Sequence, residues 1–207
     1  MSKLCIFDFD STLMDGETID FLADEMGVGK EVAKITKAAM SGELDFFESL
    51  TTRVKLLEGL NVNKVEEICQ NLPYMPGAKE TISELKNLGY KVVVFSGGFR
   101  NATAHARDIL GFDADFANIL HYNGRELSGK IGGEMMYDFS KGDMILRMQM
   151  LLGIDKANTL VVGDGANDRS MFKYADKRVA FCAKEALKKE ANIIIETKDL
   201  TKILEEI

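Results

Sequence analysis

Cysteine is scarce in this chain: Cys5, Cys69 and Cys182 are the three in 207 residues, an odd number without metal-ligand spacing. Cys5 and Cys182 lie in strand-like runs and read as buried, reduced thiols. Basic runs are lacking, as is any interleaving of basic with aromatic residues, so nucleic acid is not an expected partner. No apolar run approaches the ~20 residues of a membrane span, and no charged-then-apolar leader precedes the first strand-like run. The expected setting is therefore the cytoplasm. Internal repeats and low-complexity segments are absent too. What is present suits a globular protein: 46% hydrophobic and 29% charged residues, in a chain long enough for one substantial core and a smaller domain. With a net charge of −7 and a pI near 5.0, any anionic ligand must find its cations locally.

Strand-like runs alternate with helical patterns. The runs are Leu4 to Phe9, Lys91 to Phe95, Thr159 to Val162, Val179 to Cys182 and Ile193 to Ile195. Between them lie helical stretches from Lys79 to Leu88, Asn101 to Leu110 and Lys141 to Leu152, each followed by glycine, the expected C-terminal stop. This alternation predicts an α/β fold with a Rossmann-like, doubly wound, mostly parallel sheet. Residues 15 to 75 break the pattern. They hold no strand signal but three helical repeats: Val32, Ile35 and Ala39, ending at Gly42; Phe46, Leu50, Val54 and Leu57, with Asp45 as N-cap; and Val65, Ile68 and Leu72, stopped by Pro73. So long a helical stretch reads as an inserted cap over 15–75, with the core formed by 1–14 and 76–207. Asn123-Gly124, between apolar-containing flanks, predicts a β-hairpin flap over Leu120 to Leu127.

The chemistry-bearing residues gather where strands should end. Asp8-Phe9-Asp10 closes the first run, and Gly163-Asp164-Gly165-Ala166-Asn167-Asp168 follows the run at 160–162. Acids delivered at the carboxyl ends of two strands meet in the crevice where open α/β sheets bind ligands. Clustered carboxylates need a cation, oxygen donors suit Mg²⁺, and Mg²⁺ shares its shell with substrate phosphate. The chain therefore reads as a magnesium-dependent phosphoryl-transfer enzyme. One acid after a strand is common turn chemistry, but two flanking an apolar Phe9 is not. Asp8 can attack phosphorus as a carboxylate nucleophile, and Asp10 can alternate between acid and base over two half-reactions. Ser96-Gly97-Gly98 fits a phosphate cradle at a helix start, and equally a glycine-rich turn. Lys141 opens a helix, where its charge opposes the macrodipole, so a role bridging Asp8 and a phosphoryl group explains its place better than a solvated surface position. Asp164 can ligate the metal with Asp168 orienting waters or Lys141 behind it; Asn167 or Asp168 can also cap a helix.

Taken in order, Asp8-Phe9-Asp10-Ser11-Thr12, Ser96-Gly97-Gly98, Lys141 and Gly163-Asp164-Gly165-Ala166-Asn167-Asp168 resemble the four motifs of the haloacid dehalogenase superfamily. Over nearly the whole chain, helical lid included, the resemblance is to the members that act on phosphoserine, a small-molecule phosphomonoester. It implies an aspartyl-phosphate at Asp8, metal binding by Asp8, Asp10 and Asp164, and phosphoryl contacts from Ser96, Gly97, Lys141 and Asn167. It also implies that Glu17 meets the substrate ammonium, that Arg53 holds its carboxylate, and that Phe46 and Met40 close over the serine moiety. Arginine binds carboxylate bidentately, so Glu17 and Arg53 are a chemically matched pair for an amino acid. Phe181-Cys182-Ala183-Lys184 has the family look as well.

Three other functions fit less well or stay open. A phosphotransferase passing the phosphoryl group to another alcohol such as homoserine would keep every residue above. A dehalogenase would need no metal and would lack the second acid, so Asp10 and the pair at 164 and 168 argue against it. A silent binding module should have lost a nucleophile, a lysine or a metal acid, and none is missing.

Overall fold

The computed structural model describes residues 2–40 and 43–207, the side chain of Met40 excepted, so the expected lid contact of Met40 and the helix stop at Gly42 fall outside the described residues. Seven strands form one sheet: β1 (Lys3–Phe7), β2 (Tyr90–Phe99), β3 (Ala114–Asn123), β4 (Glu126–Gly133), β5 (Thr159–Gly163), β6 (Lys177–Phe181) and β7 (Ile193–Ile195). Their order is β4-β3-β2-β1-β5-β6-β7, and every pair is parallel except β3 with β4. The chain winds from β1 outward to β4 on one side and from β5 outward to β7 on the other. The sheet therefore switches direction beside β1, which opens a crevice at the carboxyl ends of β1 and β5.

Nine α-helices accompany the sheet among the described residues: α1 (Thr18–Glu25), α2 (Gly29–Met40), α3 (Phe46–Lys55), α4 (Val62–Gln70), α5 (Ala78–Asn87), α6 (Arg100–Leu110), α7 (Ser140–Leu152), α8 (Arg169–Phe172) and α9 (Glu185–Lys188). Both faces of the sheet are covered, which is why β1 is a continuous apolar run rather than an alternating one. Cys5 and Phe7 pack with Val92, Val94, Leu160 and Val162 on one face; Leu4 and Ile6 pack with Val93, Phe95 and Val161 on the other. Full burial of each such Phe, Leu or Ile side chain contributes about 1.5–3 kcal/mol.

Four differences from the sequence reading matter. Strand β2 does not stop at Phe95 but carries Ser96, Gly97 and Gly98 inside it to Phe99. Strand β3 begins at Ala114 and pairs in parallel with β2 before entering the hairpin, a strand the sequence did not announce. The hairpin turn is Gly124-Arg125 rather than Asn123-Gly124, because Asn123 pairs with Glu126 and the left-handed backbone falls on Gly124 at φ +64°. All three cysteines are free, with Cys5 and Cys69 buried and Cys182 partly exposed just past β6.

The helices between β1 and α5 are tied to the hairpin through backbone. Gly59 donates to Leu127 at 2.9 Å, Leu127 to Leu60 at 2.9 Å, and Val62 to Arg125 at 2.8 Å. Asn101 adds a side-chain tie, donating to Glu66 at 2.5 Å and to the Tyr122 hydroxyl at 3.0 Å.

Candidate active site

Asp8 is the first residue beyond β1, and its N–H still bonds Val162 of β5 at 2.9 Å, so the strand pairing itself sets its position. The chain then turns tightly: Leu13 and Met14 both donate to the Phe9 carbonyl, and Ser11 takes a left-handed φ of +59°. That turn buries Phe9 between the two acids. Asp10 is clamped by Thr18 at the start of α1, whose N–H and hydroxyl reach the same carboxylate oxygen at 2.8 and 2.6 Å. Ser11 donates to Glu17 at 2.8 Å.

Lys141 lies in the first turn of α7 and is 2% exposed. Its ammonium sits 2.6 Å from Asp8 and 2.6 Å from Asp168. The second oxygen of Asp168 accepts the N–H groups of Asp164 and Gly165, each at 3.0 Å, which fixes the loop after β5. A buried lysine is unfavourable without partners. Burial alone pushes the Lys141 ammonium down, yet Asp168 and then Asp8 hold it above the ordinary lysine range.

The acids face the opposite problem. Burial, then the charges of Asp168 and Asp164, raises Asp8 well above the usual carboxylate range, with Lys141 pulling it back. Asp164 is pushed up to about 7, first by burial and next by Asp168. Burial raises Asp10 as well, against the two bonds from Thr18. Oxygens of Asp8, Asp164 and Asp168 all lie within 4.8 Å of one another. The site is short of positive charge.

A cavity of about 510 Å³ lies over these acids. Asp8, Asp10 and Asp164 line it on the sheet side; Glu17, Phe46 and Arg53 line it on the side of α1 to α3. Burial, followed by the charge of Asp10, carries Glu17 up to about 8. Burial lowers Arg53, against the pull of Glu17. Arg53 makes two long hydrogen bonds, to the Ser49 carbonyl at 3.3 Å and the Thr36 hydroxyl at 3.4 Å, and forms no ion pair with Glu17 among the described residues. A carboxyl and a guanidinium that face one cavity without pairing with each other suit a ligand that carries both an ammonium and a carboxylate.

Most residues singled out in the sequence converge here, with one placement to correct. Ser96 is fully buried in β2, and its hydroxyl accepts the Gly98 N–H at 2.9 Å instead of lining the cavity. Gly97 and Gly98 line the cavity because β2 runs on to Phe99. Phe46 and Asn167 both line it and flank Gly97; a Cβ on Gly97 would lie 2.9 Å from the Phe46 ring and 3.8 Å from the Asn167 amide. Sequence reasoning missed Thr18 and the steric need for two glycines. A Cβ on Gly98 would overlap the Asp10 carboxylate, and one on Gly163 would overlap Asp168. The available signal for Thr18 was a hydroxyl residue directly after Glu17 at a helix start. Lys184 was noted only as part of a pattern; it lines the cavity and lowers Asp164.

Known proteins resemble this chain over nearly its whole length. A phosphoserine phosphatase of Wolinella succinogenes is 63% identical over 202 residues, 98% of each chain. One of Methanocaldococcus jannaschii is 49% identical over 205 residues, covering 99% of this chain and 97% of the other. Among solved structures, a phospho-aspartyl intermediate analogue of phosphoserine phosphatase matches 100% of this chain and 99% of its own, with a TM-score of 0.95 and 48% identity. A substrate-bound phosphoserine phosphatase complex matches with the same figures. A model of the haloacid dehalogenase-like hydrolases matches residues 2–176. The chain belongs to the haloacid dehalogenase-like hydrolases and, within them, to the phosphoserine phosphatase family.

Proposed function

We propose that this chain hydrolyses phosphoserine to serine and phosphate through an aspartyl-phosphate on Asp8, with Mg²⁺ as its metal. The observation that carries this reading is the pairing, in one cavity, of an acidic floor braced by Lys141 with a wall bearing Glu17 and Arg53 that are not paired to each other. The floor suits phosphoryl transfer and the wall suits an amino acid. The names of the full-length relatives support it.

The donor set fits the metal. Both oxygens of Asp168 are engaged by Lys141 and two N–H groups, so the side chains of Asp8 and Asp164 with the backbone carbonyl of Asp10 would hold the ion and Asp168 would orient the rest. When bound, Mg²⁺ supplies the positive charge that this cluster lacks and that phosphoryl oxygens require. The chain's own residues do the remaining work. Lys141, hydrogen-bonded to Asp8, offsets part of the burial and like-charge effects that disfavour its carboxylate, and meets the phosphoryl group. Asp8 attacks phosphorus, and Asp10, aimed by Thr18, gives its proton to the departing serine oxygen. Asp10 then takes a proton from the water that hydrolyses the aspartyl-phosphate. The phosphoryl group is further held by Gly97 and Asn167, the ammonium by Glu17 and the carboxylate by Arg53. Phe46 covers the serine moiety. Residues 15–75 serve as a cap on a core of 1–14 and 76–207, which keeps bulk water from the intermediate. On this reading the chain serves serine biosynthesis, with the cytoplasm as its expected setting.

The test is phosphate release from small phosphomonoesters with Mg²⁺ and with chelator, run with and without homoserine. Release is expected to be fastest from phosphoserine, to stop with chelator, and to be indifferent to homoserine. Phosphate appearing on homoserine instead of in solution would replace hydrolysis by transfer, and inactivity on every ester would leave a binding module.

A further inference from the structure

Three aromatic rings stack at the edge of the cavity. Phe47, in the first turn of α3, lies 5.2 Å from Tyr137, centroid to centroid, with planes 10° apart. Tyr137 lies 5.2 Å from Phe139 at 6°. The three are 38%, 47% and 53% exposed, so burial alone does not explain their alignment. Near-parallel rings at this spacing attract one another beyond the area they cover.

What the ladder joins gives it meaning. Phe47 adjoins Phe46, which lines the cavity, and Tyr137 and Phe139 flank Asp138, which also lines it. On the core side the segment is pinned to α7: Ser140 donates to the Tyr137 carbonyl at 3.1 Å, Tyr137 to the Ser140 hydroxyl at 3.1 Å, and Asp143 to the Phe139 carbonyl at 3.1 Å. Lys141 lies within that same turn. On the other side, Asp45 caps α3 by accepting the Glu48 N–H at 2.8 Å, so the first turn moves as a unit. Phe46, Ser49 and Arg53 share one face of α3 at helical spacing and all line the cavity. Just past its C-terminal end α3 is tied to the hairpin through Gly59 and Leu127. Its N-terminal end meets the core through Phe46 against Gly97 and through the ladder.

We propose that Phe47, Tyr137 and Phe139 are positioning residues: their stack sets the N-terminal end of α3, and through it Phe46 and Arg53, at a fixed distance from Lys141 and Asp8. This rests on the phosphoserine reading. Its consequence is specific: the stack serves the amino-acid end of the substrate, not the phosphoryl end.

Two readouts test it. In Phe47→Ala and Tyr137→Ala, amide exchange over residues 46–50 of the unliganded protein should quicken by about twofold to tenfold, the size of one aromatic pair. KM for phosphoserine should rise by a similar factor, with kcat changing less and p-nitrophenyl phosphate, which lacks an ammonium and a carboxylate, unaffected. Phe47→Tyr and Tyr137→Phe keep the rings and should restore both readouts. Alanine variants that exchange and bind like wild type would overturn the proposal, as would ring-keeping variants that behave like alanine. Should wild type not turn over phosphoserine at all, the substrate reading falls, while the exchange data still decide whether the stack holds α3.

Discussion

Arg53 has little to hold it in place within the protein: two hydrogen bonds of 3.3 and 3.4 Å and no ion pair among the described residues. If it receives the substrate carboxylate, Arg53→Ala should cost phosphoserine turnover roughly 2–5 kcal/mol in kcat/KM, the cost of truncating one partner of a buried charged pair. Turnover of p-nitrophenyl phosphate should barely change, and equal losses on both substrates would show that Arg53 serves the fold or the phosphate. At this scale the sequence was legible wherever chemistry alone selects a residue type. Asp8, Asp10, Asp164 and Lys141 stood out because like charges near a strand end and a lysine at a helix start are costly without a purpose. Thr18 and Gly163 stayed hidden because their tasks are set by what lies across the fold, a carboxylate oxygen 2.6 Å from the Thr18 hydroxyl and the Asp168 side chain over Gly163.

Strand β2 illustrates how an element can be read in kind and misread in extent. Its apolar run stops at Phe95, so periodicity ends there, yet pairing with β3 continues through Ser96 and resumes at Phe99 after a shift of register. The strand thereby delivers Gly98 against Asp10, with no room for a Cβ beside the Asp10 carboxylate. Gly98→Ala should push Asp10 off its Thr18 bonds and lower kcat by at least about tenfold, roughly 1.4 kcal/mol of barrier. The melting temperature should move little, because the clash falls on a side chain at the cavity and not in the core. A full rate in Gly98→Ala would mean that Asp10 tolerates displacement. Strand β3 went unread for another physical reason. Its Asp115 looks like a loop residue, but it is buried and satisfied by Thr103 at 2.8 Å and Arg107 at 3.2 Å, partners supplied by α6.

The molecule as a whole concentrates uncompensated acid at one point of an already acidic chain, with a net charge of −7. An acid whose folded pKa lies above its unfolded value holds more protons when folded, so stability is greatest below the unfolded pKa and falls as pH rises through the folded one. With Glu17 raised from 4.5 to about 8 and Asp164 from 3.8 to about 7, thermal stability of the metal-free protein should fall between about pH 4 and 8. Glu17→Gln should flatten the upper part of that decline, and a slope identical to wild type would show that Glu17 ionises freely. The layered α/β plan was legible because strand and helix periods alternate along the whole chain, and three of the four helices between β1 and α5 because no strand period interrupts residues 15 to 75; α1, Thr18–Glu25, was not among them. The central claim is that Asp8 carries the phosphoryl group and Asp10 serves both half-reactions. Asp10→Asn keeps an oxygen for Thr18 and a backbone carbonyl for the metal, but cannot accept a proton from water. Given p-nitrophenyl phosphate and Mg²⁺, whose leaving group needs little protonation, it should release a burst of nearly one equivalent of p-nitrophenol per site and then stall. Mass spectrometry of the acid-quenched protein should find the phosphoryl group on Asp8; steady release with no burst and no adduct would contradict the account.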